Sequence, residues 1–299
     1  MRKVIIAGAT GFIGRRLCEL LCEDGWSVQR LVRSSPGTSD LLWDGATGGE
    51  WEKGVDGSDA IINLSGAPIT LPWNEMNRQL IRDSRVQSTE AIGRAITKAK
   101  SPPRVWINSS AVGYYGDRGD ERLDESSDPG TGFLSEICTA WEEAIRRWDT
   151  PDTRTAWIRT GVALGSGGGA FEPLLKLAKA FIGGAAGTGR QWVPWISLDD
   201  LCRLYCFALR MESVQGPLNG NTPEPVRNSE LMAKIRQAVG RPWAPPAPFF
   251  ALKALGLLGG PDPSMLVASL RAIPKRPEEF GFEWKDRNLD ELAFRLAHP

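Results

Sequence analysis

The sequence of 299 residues carries equal numbers of acidic and basic side chains. Lys plus Arg and Asp plus Glu each number 36, so the formal net charge is zero. A neutral chain does not favour nucleic acid or an anionic membrane as its main partner. Because 41% of the residues are hydrophobic, the chain has enough apolar material for a globular core. We therefore expect a small-molecule substrate, no nucleic acid and no membrane.

The cysteine and histidine content narrows the chemistry further. Five cysteines occur without a Cys-x-x-Cys pair, which is typical of a reduced, cytoplasmic protein rather than a disulfide framework. His298 is the only histidine. A single histidine argues against His-based metal sites and against Ser-His-Asp triads, so we expect no metal.

Apolar runs alternate with helical patterns through the first two thirds of the chain. The apolar runs predict strands over 4–7, 28–32, 60–64, 105–108 and 155–159. Apolar residues at helical spacing predict helices over 13–25, 74–98, 132–148 and 197–209. Strands that alternate with helices in this way are typical of an α/β fold, a Rossmann doubly wound parallel sheet.

A glycine-rich segment at residues 8–14, here called the glycine turn, joins the first predicted strand to the first helix. Glycines at this place let the backbone approach a pyrophosphate, which the free N–H groups and dipole of the helix then stabilise. This pattern predicts dinucleotide binding, although an ordinary tight strand–helix turn would look similar. The expected contacts are Gly8, Thr10, Gly11, Phe12, Ile13 and Gly14.

The end of the second strand predicts which dinucleotide is bound. Arg33 lies 19 residues after Gly14 and is followed by Ser34. An enzyme that uses NAD usually carries an acidic residue here, whereas arginine suits the 2′-phosphate of NADP. We therefore predict NADP (NADPH) as the cofactor, with a solvated surface arginine as the alternative for Arg33.

Four segments together resemble the extended or atypical short-chain dehydrogenase/reductases: residues 8–14, 63–66, 108–116 and 195–201. More narrowly, the sequence is similar to an epimerase-family group, related to NAD-dependent epimerases and dehydratases, that includes the bacterial YfcH-type proteins. The resemblance implies a cofactor that crosses the carboxyl ends of the strands. The further cofactor contacts implied are Leu64, Ser65, Gly66, Arg85 and Ser109. A surface position is the alternative for Arg85.

The catalytic residues of that superfamily are missing. Its members use a Ser or Thr together with Tyr-x-x-x-Lys, but Ala111 stands at the serine position and residues 133–142 contain neither tyrosine nor lysine. Substitutes near the strand ends are predicted as catalytic residues, namely Ser110, Tyr114 and Tyr115. Arg159 and Trp195 are predicted to contact the substrate. The alternative for each is a packing role.

The second half changes in composition, with glycine-rich stretches and then a proline-rich linker at 242–246. We predict an NADP-binding domain over 1–240, with substrate-side loops at about 165–195, and a small, mainly helical C-terminal domain over 247–299. Two functions remain open. One is an NADP-dependent oxidoreductase or epimerase-like enzyme with a small anionic or sugar-like substrate, and the other is a catalytically silent NADP-binding sensor or scaffold.

Overall fold

The structure is a computed structural model that describes residues 2–34, 36–257 and 262–299. Its strands are β1 (Lys3–Ala7), β2 (Ser27–Val32), β3 (Leu41–Leu42), β4 (Ala60–Asn63), β5 (Val105–Ala111), β6 (Arg122–Leu123), β7 (Arg154–Thr160), β8 (Val162–Leu164), β9 (Trp192–Val193), β10 (Trp195–Ser197), β11 (Gly216–Gly220), β12 (Val226–Arg227) and β13 (Arg271–Ala272). Its α-helices are α1 (Phe12–Glu23), α2 (Glu52–Val55), α3 (Glu75–Lys98), α4 (Phe133–Arg146), α5 (Phe171–Lys179), α6 (Leu198–Arg210), α7 (Asn228–Ala238), α8 (Phe249–Leu257), α9 (Pro263–Val267), α10 (Lys275–Glu279) and α11 (Leu289–Ala297).

Seven strands form the central sheet, in the order β3-β2-β1-β4-β5-β7-β11. Every neighbouring pair in this sheet is parallel. The order reverses between β1 and β4, and ligands of such sheets bind outside the carboxyl ends of the strands at that reversal. The predicted doubly wound α/β fold is confirmed. The two edge strands, β3 and β11, lie outside the sequence prediction.

Both faces of the sheet are covered, which explains why its strands are almost continuously apolar. Val4 and Ile6 of β1 face a core cluster that also holds buried residues of α1 and α6. Ile5 and Ala7 point to the opposite face and pack in a second cluster with residues of α3. The alternation along β1 therefore places its end, and the glycine turn that follows, between two packed helical layers.

The described part of the C-terminal tail packs into clusters that earlier elements build. Phe282 belongs to the cluster on the α1 and α6 face of the sheet. Leu289 and Leu292 of α11 pack with residues of α5 and α7. Strand β13 pairs with β6, near the carboxyl end of the sheet. The described residues of the tail are mainly helical, and they share their cores with the rest of the chain.

Within the described ranges, the helices are all too short or too polar to span a lipid bilayer.

Candidate cofactor and substrate site

The glycine turn requires glycine at two positions for steric reasons. Gly8 has a φ of +77°, and a Cβ atom there would lie 2.7 Å from the carbonyl carbon of Leu64. A Cβ atom on Gly14 would overlap the carbonyl oxygen of Gly8. These two contacts show that the turn packs tightly against the end of β4 and that α1 approaches β1 very closely.

The third glycine, Gly11, is exposed and less crowded than the other two. A Cβ atom on Gly11 would meet only the carbonyl oxygen of Gly8, at 3.2 Å. Gly11 caps α1 without a side-chain hydrogen bond to the first helical N–H groups. The first turn of α1, which begins with Phe12 and Ile13, thus offers backbone donors and the positive end of its dipole beside an open position, which fits a pyrophosphate. Thr10, immediately before, is exposed.

The loop after β4 runs beside the glycine turn and is held in place by hydrogen bonds of a buried asparagine. The buried side chain of Asn63 donates to Asn108 Oδ1 at 2.8 Å and accepts from the Ser65 N–H at 3.0 Å. This pair of side chains connects the ends of β4 and β5. The loop that begins with Leu64 and Ser65 is therefore held next to Gly8.

The side chain of Arg85, on α3, contacts that loop. Its Nη1 donates to the carbonyl oxygens of Ala67 and Ile81 at 3.1 and 2.9 Å, and its guanidinium lies 5.2 Å from the ring of Trp141. Burial lowers the pKa of Arg85. Within the described residues no carboxylate lies within ion-pair distance of it, so its charge remains available beside Gly66.

Arg33 and Ser34 follow β2 directly and are exposed. In the part of the chain that the structure describes, Arg33 has no ion-pair partner. Because β2 is next to β1 in a parallel sheet, its end and the glycine turn lie at the same edge of the sheet. The predicted contacts for a 2′-phosphate are thus beside the predicted contacts for the pyrophosphate.

One residue of this edge escaped the sequence prediction. Arg15 donates to the carbonyl oxygens of Thr10 and Gly167, both at 3.2 Å. Gly167 belongs to the glycine-rich loop (residues 165–169), which packs on Phe12, since a Cβ atom on Gly168 would lie 2.8 Å from Phe12 Cδ2. The sequence does show an arginine immediately after Gly14. Its contact with a loop 152 residues later along the chain could not be predicted from the spacing of residues in the sequence.

The turn after β5 packs on apolar groups of α4. Strand β5 ends at Ala111, and Gly113 follows in a short 3₁₀ helix over Val112–Tyr115. A Cβ atom on Gly113 would lie 3.1 Å from Leu134 Cβ and 3.7 Å from Cys138 Sγ. Leu134 and Cys138, one helical turn apart on α4, therefore both pack against this turn. Burial raises the pKa of the Cys138 thiol to about 12, so Cys138 remains protonated.

The predicted catalytic and substrate residues are all buried, namely Ser110, Tyr114, Tyr115, Arg159 and Trp195. Ser110 Oγ donates to Glu142 Oε1 at 2.8 Å, and Arg159 binds both oxygens of the same carboxylate, from Nε and Nη2, at 2.8 Å. Arg159 is 1% exposed and Glu142 is fully buried. The prediction that Arg159 faces the substrate therefore disagrees with its position, because its charge is neutralised in the core. The Ser110 hydroxyl is likewise hydrogen-bonded to Glu142. The neighbouring Ser109 is also buried.

The two neighbouring tyrosines differ in environment. Tyr115 is fully buried, and its hydroxyl donates to Asn219 Oδ1 at 2.7 Å and accepts from Arg159 Nη1 at 3.0 Å. Burial raises the pKa of Tyr115. Tyr114 packs its ring against the Arg159 guanidinium, 3.5 Å from the ring centre. Its hydroxyl makes no hydrogen bond to the described residues. Tyr114 alone of the two keeps a free hydroxyl.

Trp195 is also interior, with 1% of its surface exposed in the cluster formed with α5, α7 and α11. The predicted substrate contact at Trp195 therefore disagrees with its position too. Trp192, three residues earlier, is half-buried and donates from Nε1 to Asp120 at 2.8 Å. Arg227 stacks on Trp192 at 3.9 Å and pairs with the same carboxylate at 2.8 Å.

A cleft of about 770 Å³ opens beside this stack. Its lining residues are Gly119, Asp120, Gly187, Thr188, Arg190, Gln191, Arg227, Ser229, Phe249, Val267 and Ser269. Arg190 is exposed and has no ion-pair partner in the described ranges. With two arginines and one aspartate in its lining, the cleft carries a net positive charge and contains several hydroxyl and amide groups.

Comparisons with known proteins show the family to which the chain belongs. The model of the "NAD dependent epimerase/dehydratase family" matches residues 4–219. The sequence is 37% identical to "Epimerase family protein SDR39U1 homolog, chloroplastic" of Arabidopsis thaliana, covering 94% of this chain and 83% of that protein. It is 35% identical to human "Epimerase family protein SDR39U1", covering 94% and 95%. The chain belongs to this epimerase family.

Solved structures agree with the sequence relatives. The crystal structure of human epimerase family protein SDR39U1 (isoform 2) with NADPH superposes with a TM-score of 0.90 at 33% identity, over 99% of each chain. A UDP-N-acetylglucosamine 4-epimerase from Bacillus cereus superposes with a TM-score of 0.79 at 15% identity, covering 99% of this chain and 96% of that one. The latter shows the fold alone. The resemblance predicted from the sequence motifs is confirmed.

Proposed function

We propose that this protein binds NADPH and acts as an oxidoreductase or epimerase-like enzyme on a small, anionic or sugar-like substrate. The observation that carries the proposal is the glycine turn, where the uncapped start of α1 faces the open side of Gly11. The human relative crystallised with NADPH supports the same cofactor here. When bound, NADPH would supply a hydride and its oxidised form, NADP⁺, would accept one; the protein binds the substrate and positions a proton donor.

The preference for NADPH over NADH rests on Arg33 and Ser34. Arg33 is exposed at the end of β2, beside the site of the adenine ribose in such folds. Its charge is free to pair with a 2′-phosphate, which NADH lacks. Arg85 adds a second cation on the opposite side of the glycine turn, next to Gly66.

The cleft beside Trp192 supports an anionic substrate with hydroxyl groups. Arg190 and Arg227 supply cations, while the exposed Thr188 and Ser229 supply hydroxyl groups of the kind that bind sugar hydroxyls. These residues replace Arg159 and Trp195 as the proposed substrate contacts, since both of the latter are interior.

Among the three candidates for the proton donor, Tyr114 fits best. Its hydroxyl is free, whereas those of Ser110 and Tyr115 are bonded inside the protein. Arg159 supports the ring of Tyr114 from its buried side and holds it in place through the pair with Glu142. In this proposal Tyr114 moves a proton, and Arg159, Glu142 and Tyr115 position it.

A titration of the purified protein with NADPH and NADH tests the cofactor. The parent should prefer NADPH, and Arg33→Ala should remove most of that preference, because a charge-assisted contact contributes about 1.5–3 kcal/mol, or roughly 10- to 150-fold in affinity. Gly11→Val should abolish binding of both dinucleotides while circular dichroism shows a folded chain. Equal affinities of the parent for NADPH and NADH would contradict the assignment.

A silent NADPH-binding sensor is the second candidate, and the lack of tyrosine and lysine in residues 133–142 favours it. A screen of phosphorylated and carboxylated carbonyl compounds, followed at the nicotinamide absorbance, separates the two candidates. Turnover that Tyr114→Phe removes supports the enzyme. Tight NADPH binding without turnover across the screen supports the sensor.

A further inference from the structure

The position of Arg15 is electrostatically unfavourable in the protein alone. Arg15 lies in the first turn of α1, and its guanidinium bends back to the carbonyl of Thr10, at the positive end of the helix dipole. Cations at a helix N-terminus oppose that dipole. No carboxylate of the described residues lies within ion-pair distance of Arg15.

The next residue shows the contrast. Arg16 pairs with Asp199 at 2.7 Å and with Glu19 at 3.0 Å, as exposed arginines commonly do. Arg15 and Arg16 are adjacent on the same helix, but only Arg16 has its charge balanced by acids. An anion at the start of α1 would balance Arg15.

The glycine-rich loop, in the second half of the chain, contacts the start of α1. Arg15 Nη2 donates to Gly167 O at 3.2 Å, so the arginine connects the glycine turn with the glycine-rich loop. Cβ atoms on Gly165 and Gly168 would lie 3.0 and 2.8 Å from the ring of Phe12, which shows direct packing of the loop on the turn. The glycine-rich loop therefore contacts the glycine turn directly, next to the expected position of the pyrophosphate.

We propose that Arg15 and the glycine-rich loop form the outer wall of the dinucleotide site, with Arg15 paired to the pyrophosphate. The inference rests on the proposed NADPH binding and adds to it a pyrophosphate contact and a loop that must move before the dinucleotide leaves. Arg33 and Arg15 then have separable roles. Arg33 recognises the 2′-phosphate that distinguishes NADPH, whereas Arg15 recognises the pyrophosphate that NADPH and NADH share.

Binding measurements with NADPH, NADH and 2′-AMP test the role of Arg15, with Arg16→Met as the matched control. Arg15→Met should weaken NADPH and NADH by the same factor, roughly tenfold or more for a lost charge-assisted contact. It should leave 2′-AMP, which has no pyrophosphate, unchanged. Arg16→Met should bind all three like the parent, since it removes only surface ion pairs.

Dissociation kinetics test the loop. Gly168→Ala places a methyl group against Phe12 and should lift the loop, so NADPH should dissociate several-fold faster, with little change in association. Gly45→Ala is the matched control, since Gly45 also has a positive φ but a Cβ atom there meets nothing within 4 Å. An unchanged dissociation rate in Gly168→Ala, or an equal increase in Gly45→Ala, overturns the loop's role.

The outcomes separate this inference from the proposed function. If Arg33→Ala loses the NADPH preference while Arg15→Met binds like the parent, the function stands and the inference fails. If Arg15→Met weakens NADPH alone, Arg15 belongs to the 2′-phosphate and the inference also fails. If the parent binds neither NADPH nor NADH, both are wrong.

Discussion

Tyr114 and Tyr115 are neighbours in sequence, yet the fold uses them differently. In the 3₁₀ turn that follows β5, Tyr115 points into the core, where Asn219 and Arg159 bond its hydroxyl. Tyr114 stacks on the Arg159 guanidinium, with its ring centre 5.4 Å from that of Tyr115, and its hydroxyl is free of the described residues. Two identical side chains in one turn thus contribute stability in one case and an available donor in the other.

This difference predicts opposite effects of the same substitution. Tyr115→Phe should lower the free energy of unfolding by about 1–3 kcal/mol, because it leaves buried partners of the hydroxyl unsatisfied. Tyr114→Phe should change it by no more than about 0.5 kcal/mol. Urea unfolding of the two variants beside the parent measures both values. Equal losses of stability would show that the Tyr114 hydroxyl is also bonded within the fold.

At the scale of elements, local sequence patterns predicted the glycine turn but not the two edge strands of the central sheet. The glycine turn between β1 and α1 was predictable because its requirement is local: a tight turn, a close helix and an open backbone. The edge strand β3 was missed since two residues carry no periodicity, and β11 was missed because Gly216 and Pro217 are atypical of strands.

The interior role of Arg159 could not be read from its own strand. A cation at the end of a parallel strand looks the same whether it faces a ligand or an acid on a packed helix. Its partner, Glu142, lies on the opposite face of α4 from solvent, and only the packing of α4 against β7 brings the two together. Long-range pairing of this kind is set by tertiary structure.

The buried ion pair of Glu142 with Arg159 predicts a large difference in stability between a substitution of Glu142 and a substitution of its second, more exposed partner. Glu142→Gln should cost about 3–5 kcal/mol of unfolding free energy, because it leaves the buried Arg159 charge uncompensated. Arg146 pairs with the same carboxylate at 3.1 Å but is half-exposed, so Arg146→Met should cost at most about 1 kcal/mol. Chemical denaturation compares them. Similar small losses would mean that the buried pair contributes little.

At the scale of the whole molecule, the C-terminal tail completes cores that begin elsewhere. Leu292 of α11 is 1% exposed and packs with α7, while Phe282 packs under the sheet. A boundary near residue 247, as the proline-rich linker predicts, would therefore divide shared cores. We expect the tail and the sheet to unfold together.

Leu292→Ala tests that expectation. The cavity should cost about 2–5 kcal/mol and lower the melting temperature of the whole chain in one transition. Phe294→Ala, on the same helix but 61% exposed, should have little effect. Circular dichroism and tryptophan fluorescence should give coincident curves. An early transition of the tail alone would support a separate C-terminal domain instead.

The two edges of the central sheet also bear on how the protein behaves at high concentration. An open edge strand exposes unpaired N–H and C=O groups that can recruit a strand from another molecule and start aggregation. At one edge β3 is only two residues long. At the other, Pro217 lacks an N–H, and Arg276 binds the carbonyl oxygens of Gln215 and Pro217 at 2.5 and 2.6 Å. Both edges thus resist the addition of a strand from another molecule. The β3 edge does so because the strand is short, and the β11 edge because Pro217 lacks an N–H and Arg276 binds two carbonyl oxygens.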